Sequence, residues 1–177
     1  MRKLKLSELN RISVEDFKHA PKTPITVVLD NIRSLHNVGS VFRTADAFRL
    51  ESLYLCGITG TPPNKEIHKT ALGASDSVDW KYFNQTEEAI SLLRSANYTI
   101  YAIEQAEGSL SLHELIIPAS GKIALVFGNE VNGVSEEVIK CADACIEIPQ
   151  FGTKHSLNVS VSAGIVIWEF FQKLFNR

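Results

Sequence analysis

The sequence predicts an α/β protein with a mainly parallel sheet and helices on both faces of that sheet. Short apolar runs of strand length alternate along the chain with segments whose apolar residues recur at helical spacing. The run Ile25–Asp30 is apolar nearly throughout, which is typical of a strand that is buried on both faces. With 177 residues the chain is long enough for one domain with a real core.

The elements follow one another in a regular order. The strands are predicted at 25–30, 52–56, 78–83, 98–103, 122–127 and 144–148. Helices are predicted at 14–19, 38–48, 86–96 and 135–141, the last capped by Ser135. Pro149 ends the last strand, and a final apolar helix capped by Ser156 or Asn158 runs to the end of the chain. The stretches 31–37, 57–69 and 108–115 are predicted to be loops or irregular connections.

Composition and charge narrow the class of protein. The formal net charge is −2, so any binding of nucleic acid must rest on a local basic patch. Three cysteines without a CxxC pair favour free thiols in a reducing cytoplasm, and Cys141 and Cys145 lack further residues at the spacing of metal ligands. No apolar run has the length of a signal peptide or of a membrane span, so we expect neither.

The N-terminal stretch 1–20 differs from the rest of the chain. It is locally basic, with Arg2, Lys3, Lys5, Arg11 and Lys18. We interpret it as a solvated extension with a short helix, because charged runs are usually solvated. An arm that contacts RNA is the alternative. The folded domain is then expected to cover residues 21–177.

The final helix is predicted to carry apolar residues on all sides. One side holds Leu157, Val161, Ile165, Trp168 and Phe171, and another holds Val159, Ala163, Val166, Phe170 and Leu174. A helix that is apolar all round needs cover all round, and one sheet covers only one face. We therefore expect a homodimer that uses this helix.

Polar residues follow three predicted strands, in the stretches 30–43, 128–133 and 149–158. Ligands of parallel sheets bind beyond the carboxyl ends of the strands, so these stretches are the candidate site. The chain has no GxGxxG after a strand, no GxxxxGK[ST] and no GxSxG, which argues against a dinucleotide fold, a P-loop and a hydrolase elbow. Ser156 beside His155 is a weak basis for a nucleophile, because neighbouring loop side chains rarely face each other.

Three segments lie in these stretches: Asn31–Ala45, Val126–Val134 with its Gly-Asn-Glu, and Ile148–Val161. In this order, each at a strand end, they resemble the signature motifs of the SpoU/TrmH-type RNA 2′-O-ribose methyltransferases of the SPOUT superfamily. The resemblance extends over about residues 24–171. It implies a sheet whose C-terminal part forms a deep trefoil knot, a dimer through the final helix, and S-adenosylmethionine as the methyl donor.

The resemblance also implies residue roles. The positions that match the family's catalytic residues are Asn37, Arg43, Glu130, Ser156 and Asn158. Those that match its donor-binding backbone are Ile103, Gly128, Ile148 and Leu157. Backbone groups beside aliphatic side chains suit adenine, whose faces are apolar and whose edge is polar.

The implied reaction is attack of a ribose 2′-hydroxyl on the sulfonium methyl group, which needs alignment and proton removal but no metal. A guanidinium stays protonated, so Arg43 is expected to contact the developing oxyanion or a phosphate. Its alternative is a surface arginine paired with Asp46. Lys154, His68 and Lys69 are expected to contact RNA phosphates, and His36 and His155 are expected to be RNA-side polar groups or simply exposed rather than proton shuttles.

The resemblance therefore implies 2′-O-methylation of tRNA or rRNA, with tRNA preferred because small members of that family often modify tRNA. Two alternatives stay open at this point. One is an RNA-binding protein of the same fold that lost turnover. The other is an enzyme that methylates a base nitrogen.

Overall fold

The computed structural model describes residues 1–117 and 121–175, and a seven-stranded sheet forms its centre. The strands are β1 (Thr23–Asp30), β2 (Leu50–Cys56), β3 (Trp80–Phe83), β4 (Tyr98–Ile103), β5 (Leu110–Ser111), β6 (Lys122–Phe127) and β7 (Ala144–Glu147). The helices are α1 (Val14–His19), α2 (Leu35–Ala47), α3 (Lys65–Ala71), α4 (Ala74–Ser77), α5 (Thr86–Ser95), α6 (Glu136–Cys141) and α7 (Val159–Phe175).

The strand order is β3-β2-β1-β6-β4-β7-β5, and every neighbouring pair is parallel. The prediction of a mainly parallel sheet is thus confirmed. All strands end at the same edge, so the loops that follow β1, β4, β6 and β7 are neighbours there. β7 lies between β4 and β5, although both precede it in the chain.

Helices cover both faces of the sheet, as predicted. Along β1 the side chains alternate, so that Val27 and Leu29 point to one face and Val28 to the other. The first face packs against α2 and α7, through residues such as Phe42 and Phe170. The second packs against α5 and α6.

Several elements differ from the prediction. The stretch 57–69 is not a loop throughout, because α3 begins at Lys65 with Asn64 as its cap and Ile67 buried. Helix α2 begins at Leu35 rather than at Val38, because Ser34 caps it by accepting a hydrogen bond from the Asn37 amide at 3.3 Å. β3 begins at residue 80, not 78, and β5 lies within the predicted connection 108–115.

The capping predictions have mixed outcomes. Ser135 occupies the N-cap position of α6, as predicted, but its side chain makes no capping hydrogen bond. Asn158 caps α7, since its Oδ1 accepts hydrogen bonds from the amides of Ser160 at 2.9 Å and Val161 at 3.4 Å.

The end of the N-terminal stretch packs onto the domain. Phe17 of α1 is buried in the core, and the Lys22 ammonium lies 3.6 Å from the centre of its ring. Residues 1–5 are exposed, and Arg2 forms an ion pair with Glu8. Among the described residues, no helix has the length and apolar character that a membrane span requires.

Candidate active site

The loops that follow β4, β6 and β7 enclose a cavity of about 720 Å³ at the carboxyl edge of the sheet. Seven of the nine residues singled out from the sequence line it, namely Ile103, Gly128, Glu130, Ile148, Ser156, Leu157 and Asn158. The cavity size is in the range of small-molecule sites. Two of the three polar stretches at the strand ends, 128–133 and 149–158, therefore meet around one space.

Glu130 joins the loop after β6 to the loop after β1. Its carboxylate accepts hydrogen bonds from the amides of Arg33 at 2.9 Å and Ser34 at 3.0 Å, and from Asn37 Nδ2 at 3.1 Å. Desolvation by itself raises the pKa of Glu130, but these hydrogen bonds together outweigh it and leave the pKa below its ordinary value. Glu130 is therefore a carboxylate that organises the site and is poorly suited to accept a proton near neutral pH.

Asn37 extends this connection to the third loop. Its Nδ2 donates to Glu130, and its Oδ1 accepts a hydrogen bond from Asn158 Nδ2 at 3.2 Å. Asn158 is also the cap of α7. Three residues that lie far apart in the sequence thus form one hydrogen-bonded chain beside the cavity.

The wall after β6 depends on a close approach of two backbone segments. A Cβ on Gly128 would lie 2.1 Å from the carbonyl carbon of Gly133 and 2.1 Å from the amide nitrogen of Val134. Backbone atoms cannot yield as a flexible side chain can, so only glycine fits at residue 128. The turn is closed by hydrogen bonds in both directions between Asn129 and Gly133.

The cavity is acidic. Glu104, Glu130 and Glu147 line it, and no lysine or arginine does so among the described residues. Aliphatic side chains such as Ile103 and Ile148 supply apolar surface. A cavity of this kind suits a ligand that combines a positive charge with a flat apolar ring.

Arg43 lies outside this cavity. It follows Asn37 by about two turns of α2 and is exposed, beside a second depression of about 570 Å³ that also borders Lys69. It forms neither a hydrogen bond nor an ion pair within the part of the chain described. The alternative pairing with Asp46 is wrong, because the Asp46 carboxylate accepts a hydrogen bond from Ser77 Oγ instead.

Of the remaining candidate residues, Ser156 and His155 line the cavity, and Lys154, His36, His68 and Lys69 lie outside it. Ser156 lines it without a hydrogen bond to His155 or to another described residue. Lys154 and His68 are exposed. His36 and Lys69 both contact Glu66, at 2.9 Å and 2.6 Å. The hydrogen bond from Lys69, and then that from His36, lower the pKa of Glu66.

Four residues of the site were not predicted from the sequence. Asn129 donates from Nδ2 to the carbonyl of Asn31 at 2.6 Å, and its Oδ1 accepts from the amides of Val131 and Asn132. Its place within the Gly-Asn-Glu segment was the sequence feature that could have identified Asn129 as a residue of the site.

Asp30, Glu104 and Gln105 are the other three. The buried Asp30 accepts from Thr86 Oγ1 at 2.6 Å and from the Ser135 amide at 3.3 Å, which ties β1 to the starts of α5 and α6. Glu104 and Gln105 directly follow β4, which was the only sign of their position. Within the described ranges, no group of three or more His, Cys, Asp or Glu side chains could hold a metal ion.

Comparisons with known proteins agree with this arrangement. Residues 24–168 match the SpoU rRNA Methylase family. The chain is 31% identical, over 92% of its length and 82% of the relative's, to a tRNA (guanosine(18)-2′-O)-methyltransferase of Thermus thermophilus. It is 33% identical, over 90% of its length and 63% of the relative's, to the 23S rRNA (guanosine-2′-O-)-methyltransferase RlmB of Neisseria meningitidis.

Solved structures are similar as well. An AdoMet-bound rRNA methyltransferase from Sinorhizobium meliloti superposes with a TM-score of 0.81 at 28% identity, covering 90% of this chain and 60% of that one. The TrmH/SpoU tRNA modifying enzyme of A. aeolicus gives a TM-score of 0.78 at 28% identity, covering 90% and 79%. The match over 24–168, the shared fold and the cavity at the strand ends establish that the chain belongs to the SpoU methylase family.

Proposed function

We propose that this protein transfers a methyl group from S-adenosylmethionine to a ribose 2′-hydroxyl of tRNA or rRNA. The observation that carries the proposal is the hydrogen-bonded chain Glu130–Asn37–Asn158, which unites the three family segments beside one acidic cavity. The similar proteins named as guanosine 2′-O-methyltransferases support the same reaction.

The cavity fits the methyl donor in charge and shape. The donor carries a sulfonium, an ammonium and a carboxylate group, so its net charge is positive, and Glu104, Glu130 and Glu147 can offset that net charge. The backbone groups of Gly128, Leu157 and the strand ends would hold the adenine edge, with aliphatic side chains on its faces. These donor contacts, made by Ile103, Gly128, Ile148 and Leu157, remain part of the proposal.

When bound, S-adenosylmethionine would supply a methyl group to the 2′-oxygen, with the carbon–sulfur bond breaking so that a neutral thioether is left and the hydroxyl proton passes to solvent. We assign to Arg43 the contact with the developing oxyanion or a neighbouring phosphate, and to Asn37 and Ser156 the positioning of the ribose. Glu130 holds Asn37 in place and does not take the proton.

We further propose a homodimer through α7. The inward side of this helix is buried at Val166 and Phe170, whereas Val161, Ile165 and Trp168 on the outward side are 50%, 39% and 45% exposed. Such an apolar stripe favours a partner surface. The depression beside Arg43 includes Gly164 of α7, so the same contact would bring Arg43 to the junction of the two chains.

The trefoil knot also belongs to the proposal. Its support is the position of β7 between the two earlier strands β4 and β5, followed by a loop that is hydrogen-bonded to Gln105. The free cysteines and the RNA substrate favour a cytoplasmic location. tRNA is the preferred substrate over rRNA, and the basic residues of 1–20 are available to contact it.

The test is transfer of labelled methyl from S-adenosylmethionine to total tRNA and to ribosomal RNA, followed by digestion to nucleosides. Label on a 2′-O-methyl nucleoside is the expected result. Label on a base would identify the base-nitrogen alternative. A protein that binds RNA but gives neither transfer to either RNA pool nor heat of binding with S-adenosylmethionine would be the alternative that lost turnover.

A further inference from the structure

The loop between β7 and α7, residues 149–158, forms a large part of the cavity wall. Gln150, His155, Ser156 and Leu157 line the cavity from this loop. Residues 151–158 are all exposed, so little packing fixes their position. The position of this loop relative to the rest of the site therefore depends on a few polar contacts.

Two side-chain hydrogen bonds of the described residues tie the loop to the body of the protein. One is the bond from Asn158 to Asn37 at the helix end of the loop. The other runs from Gln105 Nε2 to the carbonyl oxygen of His155 at 2.7 Å. The second bond reaches the middle of the exposed stretch, where a change of backbone position would alter the cavity most.

Glu104, the residue before Gln105, holds another wall of the cavity in place. Glu104 Oε2 accepts a hydrogen bond from the Val134 amide at 3.0 Å, which fixes the loop after β6. Its Oε1 accepts from the amide of Gln105 at 2.8 Å, so the two side chains start from one rigid strand end. The end of β4 thus holds the cavity's two other walls through consecutive residues.

We propose that Gln105 is a positioning residue for the methyl donor, because it holds the loop 149–158 in the form that closes the cavity. The inference rests on the proposed function for the identity of the ligand, but the hydrogen bond and its effect on the loop can be tested without any ligand. Because Gln105 bonds to the backbone carbonyl of residue 155, the side chain of residue 155 is not needed for this hydrogen bond. Among side chains, the bond depends on Gln105 alone.

The test uses Gln105→Met and Gln105→Glu, which keep the length of the side chain and remove the N–H donor. Gln85→Met is the matched control, since Gln85 is an exposed glutamine outside the cavity whose side chain makes no capping bond. Trypsin cleaves the peptide bond between Lys154 and His155, and His155 carries the carbonyl oxygen to which Gln105 is bonded. Cleavage there is expected to be roughly fivefold faster in both Gln105 variants than in the wild type and the control, the effect of about one hydrogen bond.

Donor binding provides the second measurement. The dissociation constant of S-adenosylmethionine should rise by roughly fivefold in both variants, while kcat at saturating donor and the KM for RNA stay near wild type. Gln105→Met adds no charge, so weaker binding in that variant comes from loss of the hydrogen-bond donor and not from charge. Wild-type cleavage rates or unchanged donor affinity in both variants would overturn the inference. A wild-type protein that binds no donor would instead overturn the proposed function.

Discussion

Asn158 Nδ2 donates a hydrogen bond to Asn37 Oδ1 at 3.2 Å, which joins the first turn of α2 to the start of α7. The two residues are 121 positions apart in the chain. The same Asn158 caps α7 through its Oδ1, so one side chain serves both the helix and the site. Its two functions can be separated because they use different atoms.

Asn158→Asp should retain the cap and lose the donor to Asn37. A carboxylate at a helix start is a good cap, so the melting temperature should stay near wild type. Methyl transfer should fall by roughly tenfold or more, because Asn37 loses a partner that orients it. Asn158→Ala, measured beside it, should lower the free energy of unfolding by about 1 kcal/mol. Full turnover in the aspartate variant would show that the bond to Asn37 is dispensable.

Glu130→Gln should destabilise the protein in a way that depends on pH. The folded-state pKa of Glu130 is lowered, so its contribution to stability is fully present above the unfolded pKa of about 4.3 and is lost as pH falls through the folded pKa. Near pH 7 the variant should lose about 1 kcal/mol, a modest value because the carboxylate is partly exposed.

Urea unfolding of both proteins between pH 7 and pH 3 measures this difference. It should shrink toward zero at the acid end, where a protonated Glu130 resembles glutamine. The other carboxylates are common to both proteins and cancel in the comparison. A difference that stays constant across the range would mean that the charge of Glu130 contributes nothing to the fold.

Arg43→Lys should reduce kcat by at least roughly tenfold and leave donor affinity unchanged. Lysine keeps the charge but not the planar fork that contacts two oxygens at once. Arg43 lies outside the donor cavity, so calorimetry with S-adenosylmethionine should not distinguish the variant from wild type. Arg94→Lys, at an arginine that bonds the carbonyl of Cys141 on another surface, is the control. Normal kcat for Arg43→Lys would remove Arg43 from the reaction.

Ile165→Glu should convert the dimer to a monomer. The substitution places a charge in the centre of the exposed stripe of α7, where a partner would leave it buried and unpaired. Sedimentation velocity measures the change. Leu92→Glu makes the same change at a residue of α5 that is 42% exposed, and it should leave the dimer intact. A wild-type protein that sediments as a monomer at micromolar concentration would contradict the proposed dimer.

The parallel topology explains why much of the site could be predicted from the sequence. Polar residues after apolar strands must emerge at one edge, so Glu130 and Asn158 were expected near each other before their contacts were known. The two apolar sides of α7 could also be predicted from helical spacing. Val166 and Phe170, which belong to one of these sides, are buried.

Other features depend on tertiary contacts that leave no pattern in the sequence. Helix α3 was predicted as loop because only Ile67 and Ala71 are buried in it, too few for a clear helical period. The role of Gln105 depends on which loop lies within hydrogen-bonding distance of the end of β4. The distance of Arg43 from the cavity follows from the direction of α2, which a motif cannot reveal.

The central claim is that the walls after β4, β6 and β7 enclose one molecule of S-adenosylmethionine. Gly128 tests the wall after β6, because an added Cβ must displace Gly133 and Val134, which line the cavity. Gly152→Ala is the control in the neighbouring loop, since a Cβ there meets no atom within 4 Å.

Isothermal titration calorimetry of these three proteins with S-adenosylmethionine is the most direct measurement. We predict saturable heat at one donor per chain for the wild type and Gly152→Ala, and binding weakened by at least roughly tenfold for Gly128→Ala. A wild-type protein that gives no heat of binding would contradict the claim.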